Sequence, residues 1–494
     1  MNSRRNFLKK AGLGSLAMAS VPSHAITGLT NLNGQDLFQN KETILKAEGK
    51  QIHIKVTAPL FCPFQSLNFL DANEKGGNAY YYLKEPFTYN PFTCQASGMS
   101  GSPVLIDANG KFIGFMTTLG YENSTFSFNG KDTLTLTVPE GQEVFLDESG
   151  NSDAAWKEYN TQMMGRLQTQ PITAAPSFWS DVEYCTWSEQ KQLGTKKHEH
   201  FHLLNHDFVK YYIDKLVEFG YPKGKLTLDH GWGMFPDGTI NSGFGSWMPD
   251  PKKFPNFRKT MEMISQKGFT PGLWIGFPKI HKHSLAAKKY PELLGAYKQG
   301  SKPGRKDDIQ WLNPKSDIFD YASEVISRFY EMGVRKFKID MSYNTKSDML
   351  HIHKDLYRAA KLIDKDIEME FHVPDIFFAR YSDVVRTNDV WLNDKYNWEG
   401  RVKTHYEICY KSAPGRGINL DHIGGNDTTS LNEKKFLKHL EMYKTKTGYP
   451  LVSVLPHHYS KKCIEKTGEY LWNYEKGSKN FVSDFYHKKQ TYIR

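Results

Sequence analysis

Cysteine is scarce in this chain, with 5 residues spread along 494 positions. Such wide spacing supplies neither the paired cysteines of a structural zinc site nor the density of a disulfide scaffold. At most one disulfide bond is expected, and Cys62 with Cys94 is the candidate pair. The small cross-linked folds and the cysteine-ligated zinc modules are therefore excluded.

Two motifs of common enzyme classes are also absent. No Gly-x-Ser-x-Gly elbow is present, which excludes the usual serine nucleophile. No glycine-rich phosphate loop follows the first predicted β-to-α turn, as a nucleotide-binding sheet would require. His230, His372 and His422 do not share a His-x-x-x-His spacing, so no zinc site is predicted among them.

Positive charge is abundant, and the formal net charge is +10. A basic surface attracts nucleic acid, anionic lipid or an acidic polysaccharide. The lysines occur as scattered pairs, such as Lys252-Lys253, without a tight cluster of basic and base-stacking aromatic residues. Nucleic acid is therefore not expected as a partner, and an anionic glycan is a substrate worth testing.

The first 25 residues resemble a twin-arginine export signal. Arg4-Arg5 precedes a short apolar run over 11–21, and Ser23-His24-Ala25 ends it in the small-x-Ala pattern of a cleavage site. The run is too short to span a bilayer, and no later stretch approaches that length. An ordinary basic terminus is the alternative. We predict export, cleavage after Ala25, and a periplasmic or extracellular protein without a membrane span.

Residues 27–170 have the pattern of a β-rich domain. Polar and apolar residues alternate over 52–56 and 133–138, and Thr125–Phe128 leads into an Asn129-Gly130 turn. Period-two runs separated by Asn-Gly and Pro-Gly signals are typical of hairpins. The sequence predicts an N-terminal β-sandwich-like domain that supports the part that follows.

From 176 to 468, strand patterns alternate with amphipathic helices. This rhythm over about 280 residues is typical of a (β/α)8 TIM barrel, an α/β fold, and a doubly wound open sheet is the alternative. A run at 309–312 is too short to assign to the barrel with the others, and residues 469–494 are predicted to form a C-terminal tail or cap. The predicted strands are 178–187, 225–232, 270–277, 335–342, 366–373, 384–391, 417–423 and 451–455. The predicted helices are 206–219, 257–267, 317–332, 349–363 and 432–444.

Two of these strand patterns end in a carboxylate, Asp340 and Asp389. A barrel gathers its strand ends on one face, where glycosidic bond cleavage needs two acids. Carboxyl groups about 5 Å apart give a retaining mechanism, and a separation of about 6.5–9.5 Å gives an inverting one. Because Asp also forms turns and caps helices, either residue alone would be weak support.

Polar and tryptophan residues recur at the same strand ends. Lys338 shares a strand face with Asp340 and should pair with an acid or a ligand hydroxyl inside the barrel. Arg386 is predicted to hold a sugar hydroxyl or to steady the acid. Trp232 is predicted to lie in a pocket loop, whereas Trp247, Trp274 and Trp391 are each either core or a sugar platform. The predicted substrate-binding residues are Asp229, Trp232, Trp247, Trp274, Lys338, His372, Arg386 and Trp391.

The barrel half resembles the α-galactosidase (melibiase) clan, which joins glycoside hydrolase families 27, 31 and 36, and is closest to family 36. Five segments carry the resemblance in the order that the clan has them. They are Leu-Asp-His-Gly-Trp at 228–232, Gly-Ser-Trp at 245–247 with Lys-Phe-Pro at 253–255, Gly-Leu-Trp at 272–274, Phe-Lys-Ile-Asp at 337–340, and Arg-Thr-Asn-Asp at 386–389.

The resemblance implies a retaining, α-specific glycosidase that needs no metal or organic cofactor. Asp340 would be the nucleophile and Asp389 the acid/base, while Asp229, Lys338 and Arg386 would hold ring hydroxyls. The chain departs from the pattern at His230, at Ser246, where the clan usually has Asp, and in its fifth-strand segment 370–373, which lacks a Cys/Gly-rich loop. A family 31-like α-glucosidase or α-xylosidase and a non-catalytic carbohydrate-binding relative are the alternatives.

Overall fold

The structure is a computed structural model, and its described residues belong to one compact unit. They are 42–46, 51–63, 82–90, 101–116, 124–236, 238–297, 308–342, 346–387, 390–392, 397–425 and 431–488. The predicted export signal and Asp389 lie outside these ranges. Within them, no helix is both long enough and apolar enough to cross a membrane.

The N-terminal part consists of two antiparallel sheets, as the sequence predicted. One sheet has the order β1-β10-β7-β6-β3-β4 and the other the order β2-β9-β8-β5. The sheets share one core, in which the rings of Phe115 and Phe126 lie 4.5 Å apart. The strands are β1 Glu42–Lys46, β2 Gln51–Lys55, β3 Leu60–Phe61, β4 Tyr82–Leu83, β5 Phe87–Tyr89, β6 Val104–Ile106, β7 Phe112–Phe115, β8 Thr125–Phe128, β9 Thr133–Thr137 and β10 Glu143–Asp147.

The predicted Asn-Gly hairpin is present between β8 and β9. Oδ1 of Asn129 accepts hydrogen bonds from the backbone N–H groups of residues 131–133, and Gly130 has a φ of 79° that favours glycine. Cys62, the described member of the candidate disulfide pair, is a free and buried thiol, and Cys94 lies outside the described residues.

A helix that the sequence did not predict, α1 Ser152–Leu167, connects the sandwich to the barrel. Its N-terminus is capped by Asn151, whose side chain accepts from the N–H of residue 154. The hydroxyl of Tyr159 donates to the carbonyl oxygen of Phe115 in the sandwich. On the other side, Asn160 donates to the carbonyl oxygens of residues 411 and 485. Because α1 is buried on both sides, it shows no single apolar face in the sequence.

Eight parallel strands close into a barrel in chain order, which confirms the predicted TIM barrel. Seven of the eight predicted strand segments contain a barrel strand, and the eighth, 451–455, overlaps the last barrel strand, which begins at Tyr449. The short run at 309–312 belongs to a separate three-stranded sheet of β14, β15 and β16. The barrel strands and this inserted sheet are β11 Glu183–Cys185, β12 Lys225–Leu228, β13 Thr270–Ile275, β14 Lys279–His281, β15 Leu294–Tyr297, β16 Ile309–Leu312, β17 Lys336–Ile339, β18 Glu368–Phe371, β19 Val384–Arg386, β20 Gly417–Ile423 and β21 Tyr449–Val452.

Helices surround the barrel because their apolar residues recur every three or four positions and face the strands. Asn205, Asn256 and Asn432 each cap the helix that follows by accepting a backbone N–H three residues later. The helices are α2 Trp187–Leu193, α3 His200–Leu203, α4 His206–Glu218, α5 Phe257–Gln266, α6 Leu285–Lys289, α7 Phe319–Glu331, α8 Lys346–Ile363, α9 Trp398–Ser412, α10 Glu433–Tyr443 and α11 Lys461–Lys476.

Residues 481–483 cover part of the N-terminal end of the barrel. The predicted boundary at 468/469 falls within α11, and residues 481–483 then pair with the start of β20. The N–H of Ile418 donates to the carbonyl oxygen of Phe481 at 2.8 Å, and the N–H of Ser483 donates to Arg416 at 2.9 Å. Phe481 also packs with Val384 at the start of β19, which leaves the opposite end of the barrel for a site.

Candidate active site

The acid that follows the fourth barrel strand lies at the centre of a polar cluster. Oδ1 of Asp340 accepts from the backbone N–H of Met341 at 2.6 Å and lies 2.9 Å from Nδ1 of His372. Its Oδ2 accepts from the indole N–H of Trp274 at 2.9 Å and lies 3.6 Å from Arg386. Three of the predicted site residues, on three different strands or strand ends, therefore surround one carboxylate.

Its surroundings keep Asp340 ionised. Burial alone would raise the pKa of this carboxyl, but His372, followed by Arg386 and Lys338, holds the pKa well below its usual value. The side chain is 17% exposed, so the carboxylate remains open on one side. An ionised, partly open carboxylate can attack an electrophilic carbon, and it does not supply a proton at neutral pH.

Asp229 and Lys338 form a second, more deeply buried ion pair. Nζ of Lys338 lies 2.8 Å from Oδ2 of Asp229, which also accepts from the thiol of Cys185 at 3.1 Å. Burial would lower the pKa of Lys338, but the charge of Asp229 raises it well above its usual value. The prediction that this inward-facing lysine pairs with an acid is confirmed, while the predicted contacts of both residues with sugar hydroxyls stay predictions.

Trp274 is the predicted tryptophan that contacts the central carboxylate. Its ring stacks on His230 with a centroid distance of 4.3 Å and an interplanar angle of 10°. Trp232 lies behind it and donates its indole N–H to the carbonyl oxygen of Trp274. Trp247 donates to the hydroxyl of Tyr321, and both Trp232 and Trp247 are buried. Trp232 therefore holds the backbone of Trp274, and the ring of Trp247 lies 6.4 Å from the ring of Trp274. The contact of Trp232 and Trp247 with substrate stays a prediction.

Of the remaining predicted residues, the structure describes Trp391 but not Asp389. Trp391 is partly exposed, with the guanidinium of Arg401 lying 5.4 Å from its ring centroid. Asp389, the predicted acid/base, lies outside the described residues. Its role and its distance from Asp340 stay predictions. Arg386, three positions earlier in the chain, does reach Asp340.

Two further acids, which were not predicted as site residues, hold the guanidinium of Arg386. Oε1 of Glu370 lies 3.5 Å from its Nε, and Oδ1 of Asp421 lies 3.4 Å from its NH1. Asp421 has a φ of 55°, in the left-handed region that is uncommon for residues other than glycine, and its Oδ1 lies 3.3 Å from Nε2 of His422. Their position at the ends of predicted strands was the only signal in the sequence.

Beneath the site, the barrel interior is charged. Lys336 contacts Glu370 at 2.6 Å, Glu368 at 3.5 Å and also Glu183, and all four side chains are fully buried. Burial would raise the pKa of Glu370, but Lys336, with Arg386, lowers it to about 2. Asn419 donates to Glu183 and Glu370. We call these five residues the interior network; through Glu370 it is continuous with Arg386 and hence with Asp340.

Comparison with known proteins gives the fold and leaves the substrate open. No protein-family model matches this chain. The structure of the α-galactosidase TtGalA from Thermus thermophilus in complex with stachyose is similar with a TM-score of 0.58 and 13% identity, covering 87% of this chain and 97% of that one.

Two other solved structures are similar over about the same part of this chain. A GH31 α-xylosidase from a soil metagenome has a TM-score of 0.60 at 10% identity, covering 88% of this chain and 66% of that one. The GH36 α-galactosidase AgaA from Geobacillus stearothermophilus has a TM-score of 0.55 at 13% identity, covering 88% and 62%. The resemblance predicted from the sequence is thus confirmed for the fold. This chain has the fold of the GH36 and GH31 glycoside hydrolases.

Proposed function

We propose that this protein is a retaining α-glycosidase, similar to α-galactosidases, that removes terminal α-linked sugars from oligo- or polysaccharides. The observation that carries the proposal is the state of Asp340. It is an ionised and partly open carboxylate at a barrel strand end, oriented by Trp274, His372 and Arg386. The fold supports it, because structures that share this fold include α-galactosidases.

In the proposed reaction, a carboxylate oxygen of Asp340 attacks the anomeric carbon of the sugar. The bond to the leaving oxygen breaks as Asp389 gives that oxygen a proton, and a covalent glycosyl-enzyme forms. Water then attacks the same carbon, Asp389 takes up the proton, and Asp340 is released. The two inversions leave the product with the configuration of the substrate. The interior network keeps Arg386 in place throughout, so little reorganisation is needed around Asp340.

The similarity to a GH31 α-xylosidase supports a second candidate, an α-xylosidase or α-glucosidase. Galactose, glucose and xylose differ in the configuration at one ring carbon or in one hydroxymethyl group, so the same two-acid mechanism serves all three. The departures at 230 and 246 from the α-galactosidase pattern fall in segments predicted to contact ring hydroxyls. We therefore propose one reaction class, the retaining cleavage of α-glycosides, with galactose as the first candidate sugar and glucose or xylose as the second.

The place of action and the charge of the substrate are part of the same proposal. The paired arginines and apolar run of residues 1–25 support export to the periplasm or the outside of the cell. The net charge of +10 supports an anionic glycan, for example a sulfated one, as one of the substrates. Neither statement bears on the assignment of Asp340.

The test is a panel of 4-nitrophenyl α- and β-glycosides of galactose, glucose and xylose, with the first-formed product anomer determined by NMR. We expect turnover of α-glycosides alone, the highest kcat/KM on the α-galactoside, and the α-anomer as first product. A β-anomer would contradict the double displacement. Sugar binding without turnover of any α-glycoside would favour the non-catalytic relative, and preference for the α-xyloside or α-glucoside would favour the second candidate.

Replacing Trp274 by Phe should shift the pH dependence of this activity. The change removes the indole N–H that donates to Asp340 and keeps an aromatic ring against His230. Since that donor stabilises the ionised carboxylate, its loss raises the pKa of Asp340. The acid limb of the kcat/KM profile should then move to higher pH, and kcat/KM at neutral pH should fall by roughly 10- to 100-fold, the scale of one lost hydrogen bond to a charged group.

The matched control is Trp472→Phe, which removes an indole N–H bonded to Gly220 on the outer surface. Its pH profile should superimpose on that of the unmodified protein. If the Trp274→Phe profile keeps its acid limb unchanged, Asp340 is not the group whose ionisation limits the reaction.

A further inference from the structure

A cluster of two imidazoles and a carboxylate lies where the first and last barrel strands meet. Glu189 is in α2, which follows β11, while His457 and His458 are in a short 3-10 helix that follows β21. One ligand atom from each residue lies within 4.8 Å of the other two. The strands β11 and β21 pair directly, so the cluster spans the closing seam of the barrel.

The carboxylate of Glu189 is fixed by hydrogen bonds. Oε2 accepts from the backbone N–H of Leu455 at 2.8 Å, and Oε1 accepts from the hydroxyl of Tyr211 at 3.0 Å. Nε2 of His458 lies 2.9 Å from the same Oε1. Glu189 is fully buried, and donors of this kind orient carboxylate ligands in metal sites.

His457 has a buried ring nitrogen that no hydrogen bond to Glu189 satisfies. Its ring lies 4.0 Å from that of His458 and 5.7 Å from that of Phe219. Its Nδ1 is buried and has no hydrogen-bond partner among the described residues. A buried nitrogen without a partner is costly, and a bound cation would satisfy it.

We propose that Glu189, His457 and His458 bind a divalent transition metal ion, with Zn²⁺ as the first candidate and water completing its coordination. Two imidazoles and one carboxylate form a donor set that zinc uses, whereas Ca²⁺ and Mg²⁺ prefer oxygen ligands. The ion would connect α2 to the segment after β21. Its role is to hold the barrel closed, and it takes no part in the proposed cleavage, so the inference does not depend on that function.

The experiment uses the full chain without an affinity tag, stripped with EDTA and then titrated with Zn²⁺ by calorimetry and thermal unfolding. We expect one ion per chain and a Tm that rises by a few degrees and continues to rise with free Zn²⁺, because the ion binds the folded chain. Mg²⁺ and Ca²⁺ at the same concentration should leave Tm unchanged.

The decisive variant is His457→Ala, because its buried Nδ1 makes no described hydrogen bond that the change would break. This variant should keep the Tm of the metal-free protein and lose both the binding isotherm and the Zn²⁺-dependent shift. His351→Ala, which removes a partly exposed histidine from α8, should behave like the unmodified protein. Equal Zn²⁺ binding by the His457→Ala and unmodified proteins, or no binding by either, would overturn the proposal.

Discussion

Asp340→Asn is expected to lower kcat on the best aryl α-glycoside by about 10⁴-fold or more, the scale seen when a covalent nucleophile is removed. The substitution keeps the size of the side chain. An amide oxygen, however, is too weak a nucleophile to form the glycosyl-enzyme. The change leaves KM largely intact if the sugar is bound by other groups. Steady-state kinetics at the pH optimum gives both values.

Two controls separate this loss from a failure to fold. Asp214→Asn changes an exposed aspartate on α4 that pairs only with Lys210 among its described ion pairs, and should retain full activity. The Asp340→Asn protein should still unfold in one cooperative transition, since Trp274 and His372 keep a polar side chain between them. Retention of more than about a tenth of the activity would exclude Asp340 as the nucleophile.

Lys336→Met is expected to destabilise the protein by about 3–5 kcal/mol, the usual cost of leaving a buried charge without its partner. Lys336 lies among Glu183, Glu368 and Glu370, and all of these side chains are fully buried. Burial would lower the pKa of Lys336, but the three carboxylates raise it, so the lysine is charged. Urea denaturation at pH 7 measures the difference in the free energy of unfolding.

The destabilisation caused by Lys336→Met should decrease as the pH is lowered. Glu370 has a folded pKa of about 2, below the value of about 4.3 for an unfolded chain. Its ionised form therefore adds stability above about pH 4, and that contribution disappears as the pH falls toward 2. The difference in the free energy of unfolding between the unmodified and Lys336→Met proteins should accordingly become smaller below about pH 4. Lys210→Met, which removes the cation of an exposed pair on α4, is the matched control and should change stability little at any pH.

The barrel could be predicted from the sequence because its strands are short, apolar and regularly spaced between amphipathic helices. The run at 309–312 is a true strand, but its place in an antiparallel sheet depends on pairing with β14 and β15. Helix α1 could not be predicted because it lacks the single apolar face by which the other helices were recognised. It packs against the sandwich on one side and the barrel on the other, so its apolar residues follow no single face.

The candidate site could be predicted in part because a strand fixes which residues share a face. Lys338 and Asp340 are two positions apart, and both were correctly expected on the inner side. The partner of each could not be read in the same way. Asp229 is 109 positions from Lys338, and Glu370 looked like any other acid at a strand end until the structure placed it beside Arg386. Such contacts depend on barrel closure, which no local pattern encodes.

The most direct measurement of the central claim is to trap the covalent intermediate on the unmodified protein. A fluorinated glycosyl fluoride of the preferred sugar should form the glycosyl-enzyme faster than water removes it. Mass spectrometry should then find one added fluorosugar per chain, and peptide fragmentation should locate it on Asp340. A label on another residue, or an unlabelled protein that still turns the reagent over, would contradict the account.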